Sequence, residues 1–148
     1  MAEREQAHWI AQTDCSGGGC CYPISLCNAL RFHGLPSPEP GTDDWERLID
    51  VSLCRAGSAL QRHNIRAWLG VVEVHEPFGW RDPKGHLPLL LSIDDPKYGY
   101  HVVLLVERRT DAVRLINYGG ERNTWVESVR LTGKDDPVWV VPQWRPHD

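Results

Sequence analysis

The stretch Gln12–Gly34, QTDCSGGGCCYPISLCNALRFHG, decides how this chain is read. A polar, glycine-rich run leads into a cysteine, a proline and an apolar-periodic segment that closes on a glycine. Pro23 suits a first helical turn, where its missing N–H would have no partner anyway. Ile24, Leu26, Cys27, Leu30 and Phe32 recur at broadly helical spacing, and Gly34, followed by Pro36 and Pro38, is a C-terminal stop. The spacing predicts a helix over 23–33 with Cys21 delivered to its start. A thiol there meets the positive end of the helix dipole and free N–H groups, both of which favour the nucleophilic thiolate. Cys21 fits a second description equally, that of a small buried hydrophobe.

Composition bounds the rest. At 148 residues, 41% hydrophobic and 24% charged, the chain has the balance of one folded domain over 1–148, with no internal boundary or repeat. The net charge of −4 comes without a basic stripe, which argues against nucleic acid as a partner. The opening MAEREQAHWIAQ carries charges and no signal-peptide core. The longest apolar runs, LPLLLSI and HVVLLV, are too short to span a membrane. A cytoplasmic protein with no membrane partner is expected. Its five cysteines, Cys15, Cys20, Cys21, Cys27 and Cys54, are then expected as reduced thiols. Four of them crowd together with His33, but without the CxxC pair of a structural zinc site, so neither metal nor cofactor is expected.

The first half reads as helical. After a lead-in over 1–11 and the first helix, LPSPEPGTDD is a surface connection. Thr42 or Asp43 caps a second helix to about Cys54, with Trp45, Leu48, Ile49 and Leu53 on one face, and a third short helix covers roughly 56–63. The second half reads as strands: 67–74, 86–94, 100–108, 112–118, TWVESVRL and PVWVVPQW. Helices first and strands after argue for an α+β fold, the N-terminal helices packed on a C-terminal antiparallel sheet.

A nucleophilic Cys21 needs a base, and the base an orienting group. His33 lies too far down the helix. His101 opens the HVVLLV strand, and a turn centred near Arg109 sets it opposite Asn117, whose side chain would fix the imidazole tautomer. The alternative is a surface histidine, with Asn117 merely starting the NYGG turn. Gln12, together with the Cys21 N–H, is the candidate oxyanion donor; on physics alone it is also an ordinary solvated glutamine. Trp80, in a loop near the mouth, is a candidate groove residue, and Trp68, Trp125 and Trp139, in predicted strands, are read as core. Asp94 and Asp95 read as turn formers.

The order Gln, Cys, His, Asn, with Cys opening a helix and His–Asn on a later hairpin, resembles papain-like cysteine peptidases. More narrowly it resembles the bacteriocin-processing, double-glycine leader peptidase family. The family's Cys-Gly-Pro-Ala-Ser helix start is similar to Cys21-Tyr22-Pro23-Ile24-Ser25, its Gly-His strand is loosely similar to Gly99-Tyr100-His101-Val102, and its Asp or Asn after the His falls on Asn117. The resemblance spans about residues 10–142. Two departures stand out: Tyr22 replaces the family's Gly beside the nucleophile, where it would border the substrate, and Ser16–Gly19 lengthens the Gln–Cys interval. The register prefers Cys21 over Cys20, with Cys15 third. The resemblance implies a papain-like fold and a Cys21–His101–Asn117 triad with Gln12 at the oxyanion. Its substrate would be a peptide or amide, or a thioester if the acyl group passes to an amine. A non-catalytic, peptide- or protein-binding relative is the rival, suggested by the same two departures.

Overall fold

The structure is a computed structural model that describes residues 9–14, 20–53, 59–131 and 137–143. Within them lie three helices, α1 (Cys21–Phe32), α2 (Asp43–Leu53) and α3 (Ala59–Leu69). Six strands follow: β1 (Val71–His75), β2 (Leu89–Asp95), β3 (Gly99–Arg108), β4 (Ala112–Tyr118), β5 (Glu121–Glu127) and β6 (Val138–Pro142). Every paired strand is antiparallel, in the order β1-β6-β2-β3-β4-β5. The fold is therefore α+β, as the element pattern predicts.

The first two helices carry the terminal signals expected of them. At the end of α1, Gly34 takes φ +76°. Its N–H reaches the Arg31 carbonyl at 3.0 Å and the Leu35 N–H reaches that of Leu30 at 2.9 Å, the paired closure of a Schellman motif. Thr42 caps α2 by accepting the Trp45 N–H on Oγ1 at 3.2 Å, and Asp43, Asp44 and Glu46 sit in the first turn, where the dipole favours acids.

The third helix corrects the reading above. It runs to Leu69, through residues predicted to begin a strand, and ends at Gly70 with φ +73°. The apolar run Ala67-Trp68-Leu69 fits either period, and only the glycine marks the switch. Trp68 is consequently a helical residue and 43% exposed, not core. Trp125 and Trp139 are half-buried. The strand predicted over TWVESVRL starts earlier and gives way to a 3-10 turn, Ser128–Arg130. His8 and Cys54, and the side chains of Leu53 and Leu60, lie outside the described residues.

The centre of the sheet, β2 to β4, is buried on both faces. Leu90, Val102, Leu104, Val106, Ile116 and Val140 pack against α1, whose residues from Tyr22 to Leu30 are all buried. Leu89, Leu91, Ile93, Val103, Leu105, Val113 and Leu115 form the opposite face with Trp80 and Leu131. Two buried faces explain why HVVLLV runs apolar without alternation. The cover on the second face is the 76–88 loop, held by Arg108. Its guanidinium donates to the carbonyls of Trp80 at 2.8 Å, Gly85 at 3.0 Å and His86 at 3.3 Å. Glu76 holds the loop from below, accepting the N–H groups of Phe78 at 3.2 Å and His86 at 2.9 Å. Burial works against the Glu76 carboxylate, yet these donors and the His86 ring keep its pKa below the usual value.

Leu104 is fully buried between sheet and α1, whereas Val129 is 85% exposed. Leu104→Ala is expected to cost about 2–5 kcal/mol in urea unfolding, and Val129→Ala to leave the midpoint within experimental error.

Candidate active site

Cys21 is the first residue of α1 and half-buried. Pro23 stands in the same turn, no acid occupies it, and no side chain caps the helix start. Cys27, one and a half turns on, is fully buried, and burial pushes its thiol up to about 12, so it stays inert. Cys20 is disulfide-bonded, which removes it as a rival nucleophile. This corrects the expectation of reduced thiols throughout. Cys20 is fully buried, out of reach of solvent thiols. Cys15 and the 16–19 insertion lie outside the described residues.

The helix meets β3 near the start of that strand. One turn into α1, the Ser25 hydroxyl donates to the Val102 carbonyl at 3.4 Å, next to His101. Cys21 lies about 6 Å further along the helix axis, from the rise of four residues.

Three of the four predicted catalytic positions form one chain of hydrogen bonds. The Gln12 N–H donates to Asn117 Oδ1 at 2.8 Å, Asn117 Nδ2 donates to the Ile10 carbonyl at 2.9 Å, and His101 Nε2 meets the Asn117 carbonyl at 3.0 Å. Asn117 adopts φ 70°, a conformation asparagine tolerates better than most residues. Its side chain serves the Ile10–Gln12 backbone, and its main chain serves the histidine. The predicted side-chain contact between Asn117 and the imidazole is thus replaced by a main-chain one. The tautomer is fixed all the same. A carbonyl only accepts, so neutral His101 carries its proton on Nε2 and leaves Nδ1 as the basic nitrogen.

The hairpin register explains the change. Pairing His101 with Asn117 would set Leu104 opposite Arg114, but Leu104 faces Ile116, and a bulge between Leu105 and Glu107 shifts the pairing again. His101 pairs across β2 with Ile93, which belongs to the face away from α1. Strand alternation gives the same result, since His101 shares a side with Val103 and Leu105. On that side its ring lies 4.7 Å from the Tyr98 ring. No hydrogen bond joins Cys21 to His101, although both are described.

Asp95, expected only as a turn former, and Tyr98 both bear on the imidazole. Buried Asp95 accepts the N–H groups of Lys97 at 2.8 Å, Tyr98 at 3.1 Å and Gly119 at 2.8 Å, tying the β2–β3 turn to the end of β4. Burial lowers the His101 pKa, and the Asn117 carbonyl and the Asp95 charge oppose that only in part.

Trp80 and Tyr22, read as groove residues, are both buried. Trp80 belongs to the far-face core, with the Arg81 guanidinium 4.1 Å over its ring. The Tyr22 hydroxyl donates to Glu73 Oε2 and accepts from Arg66 Nη1 at 2.8 Å, stitching the helix start to β1 and α3. Burial, then the Glu73 carboxylate, raise its pKa. Gln12 differs, since its side-chain amide makes no hydrogen bond among the described residues and its Oε1 is buried without a partner. Among the described residues no three of His, Cys, Asp and Glu stand together as metal ligands, and no helix is long and apolar enough to cross a membrane.

No family model, curated protein or solved structure matches this chain.

The lowered His101 pKa fixes the sign of one pH effect. Below the usual 6.5 the unfolded histidine binds a proton that the folded one refuses. Stability is therefore expected to be full above that pH and to fall as the pH drops from 6.5 toward the folded value. In thermal melts between pH 7.5 and pH 5, His101→Gln is expected to flatten this acid-side slope.

Proposed function

We propose that this chain is a papain-like, cysteine-dependent hydrolase of peptide or amide bonds, with Cys21 as nucleophile. The observation that supports the reading is the hydrogen-bond chain that links three of the four residues, Gln12, Asn117 and His101, while the half-exposed Cys21 thiol opens the helix that packs on β3. Neutral His101, with Nδ1 free of a proton, takes the Cys21 proton. The thiolate attacks the substrate carbonyl, and the unengaged amide of Gln12 and the Cys21 N–H receive the developing oxyanion. The amine leaves with the proton from His101, and water resolves the acyl-thioester. An amine in place of water makes the same site an acyltransferase, whether the acyl donor is an amide or a thioester. The reaction requires the imidazole to leave Tyr98 and turn around the strand end toward α1.

A second reading has its own observation. The register sets His101 on the face away from α1, with Nε2 bound to a carbonyl. This favours a non-catalytic relative that binds a peptide or partner protein.

Alkylation followed by mass spectrometry separates the two. Under the enzymatic reading, Cys21 is modified faster than Cys27, and His101→Ala slows Cys21 about ten-fold or more near neutral pH, as loss of a general base does. Equal Cys21 rates in the two proteins would leave the binding reading in its place.

A further inference from the structure

The end of α1 remote from Cys21 floors a second concavity. It holds about 430 Å³ and is lined by Leu30, Pro36, Pro38, Glu39, Asp44 and Trp68, among others. That volume suits a long side chain with a few neighbouring backbone atoms. Its walls come from the tail of α1, the 35–42 connection, the start of α2 and the last turn of α3.

Trp68 is out of keeping with the other helix-side tryptophans. Trp9 and Trp45 are each 3% exposed and Trp68 is 43% exposed, with no hydrogen bond or ring contact among the described residues. The opposing wall is built rather than loose. Arg31 donates from Nε to Ser37 Oγ at 2.9 Å and from Nη2 to the Pro38 carbonyl at 3.4 Å, and pairs with Glu39 at 2.8 Å. Thr42 Oγ1 donates to the Glu39 carbonyl at 2.7 Å. Pro36 and Pro38 add fixed backbone angles. Little ordering is left for a ligand to impose.

The charge at the mouth is negative. The Glu39 and Asp44 side chains are 57% and 68% exposed. Asp43 and Glu46 lie on the same helical turn as Asp44. The nearby cations are Arg31, 10% exposed beneath the loop, and Arg47, 3.9 Å from Asp44. A partly exposed indole beside carboxylates that stay more than half exposed even where they are paired attracts a cation whose stem is apolar. The chain's net charge of −4 draws the same partners.

We propose that this groove docks a basic peptide segment, one arginine or lysine side chain lying across Trp68 between the prolines with its charge at Asp44 and Glu39. The site is independent of the thiol chemistry, because nine helical residues, about 13 Å of axis, separate Leu30 from Cys21.

The test uses the whole chain, ¹⁵N-labelled, titrated with the blocked tripeptide Ala-Arg-Ala and with its citrulline counterpart, which keeps the shape and loses the charge. The Trp68 indole N–H signal, assigned with Trp68→Phe, is expected to shift saturably with the arginine peptide and not with citrulline. Trp68→Ala and Asp44→Asn, both exposed and each checked by thermal melt, are expected to weaken binding about five-fold or more. Absence of saturation, equal binding of citrulline, or binding that survives both substitutions would overturn the assignment.

Discussion

The segment around Ile10 runs through the core, and two asparagine side chains, one on a helix and one on a strand, hold it there. Ile10 is fully buried, and its backbone polar groups need partners that secondary structure does not supply. Asn28 of α1 accepts the Ile10 N–H at 2.8 Å and donates to its carbonyl at 3.1 Å, while Asn117 of β4 donates to the same carbonyl and accepts from Gln12. Only an amide offers donor and acceptor side by side on so short a stem. Helix, sheet and N-terminal segment are locked together at this point. The position of Gln12, the left-handed backbone of Asn117 and the carbonyl that meets His101 all follow from it.

The double burial of the sheet's centre governs the electrostatics. The buried polar groups around it have specific partners: Tyr22 with Glu73 and Arg66, Glu76 with the amides of Phe78 and His86, and His101 with the Asn117 carbonyl near Asp95. Cys21 stands at the margin of this system, the half-exposed end of an otherwise buried helix. Cys27, further along the same helix, is fully buried, and burial pushes its thiol up to about 12.

What was legible in the sequence was whatever leaves a mark in composition or period. The first helix and its glycine stop, the Thr42 cap and the strands of the second half all do. The β3–β4 register was misread because the turn centres between Thr110 and Asp111 rather than on Arg109, and a bulge then shifts the pairing by one residue without any mark in composition. The run over Ala67-Trp68-Leu69 was misread because three apolar residues carry no period of their own. The roles of Asn28 and Asn117 were hidden for another reason. Each contact spans a long stretch of chain to a backbone atom, and backbone atoms have no sequence signature. The burial of Trp80 depends on Arg108 gathering three carbonyls of a loop that reads as open, which no local pattern announces.

The strand order carries a consequence for synthesis. β6 lies between β1 and β2, so β1 touches the sheet only through a strand made some sixty residues later. While the chain is being translated, Val71–His75 has no edge to join, and the matching edge of β2 stays open. The helices and the β2–β5 meander can assemble first, but the sheet closes only when Val138–Pro142 slots between its two waiting neighbours. A ribosome stalled short of that segment would hold two unpaired strand edges, the form of nascent chain that calls for a chaperone.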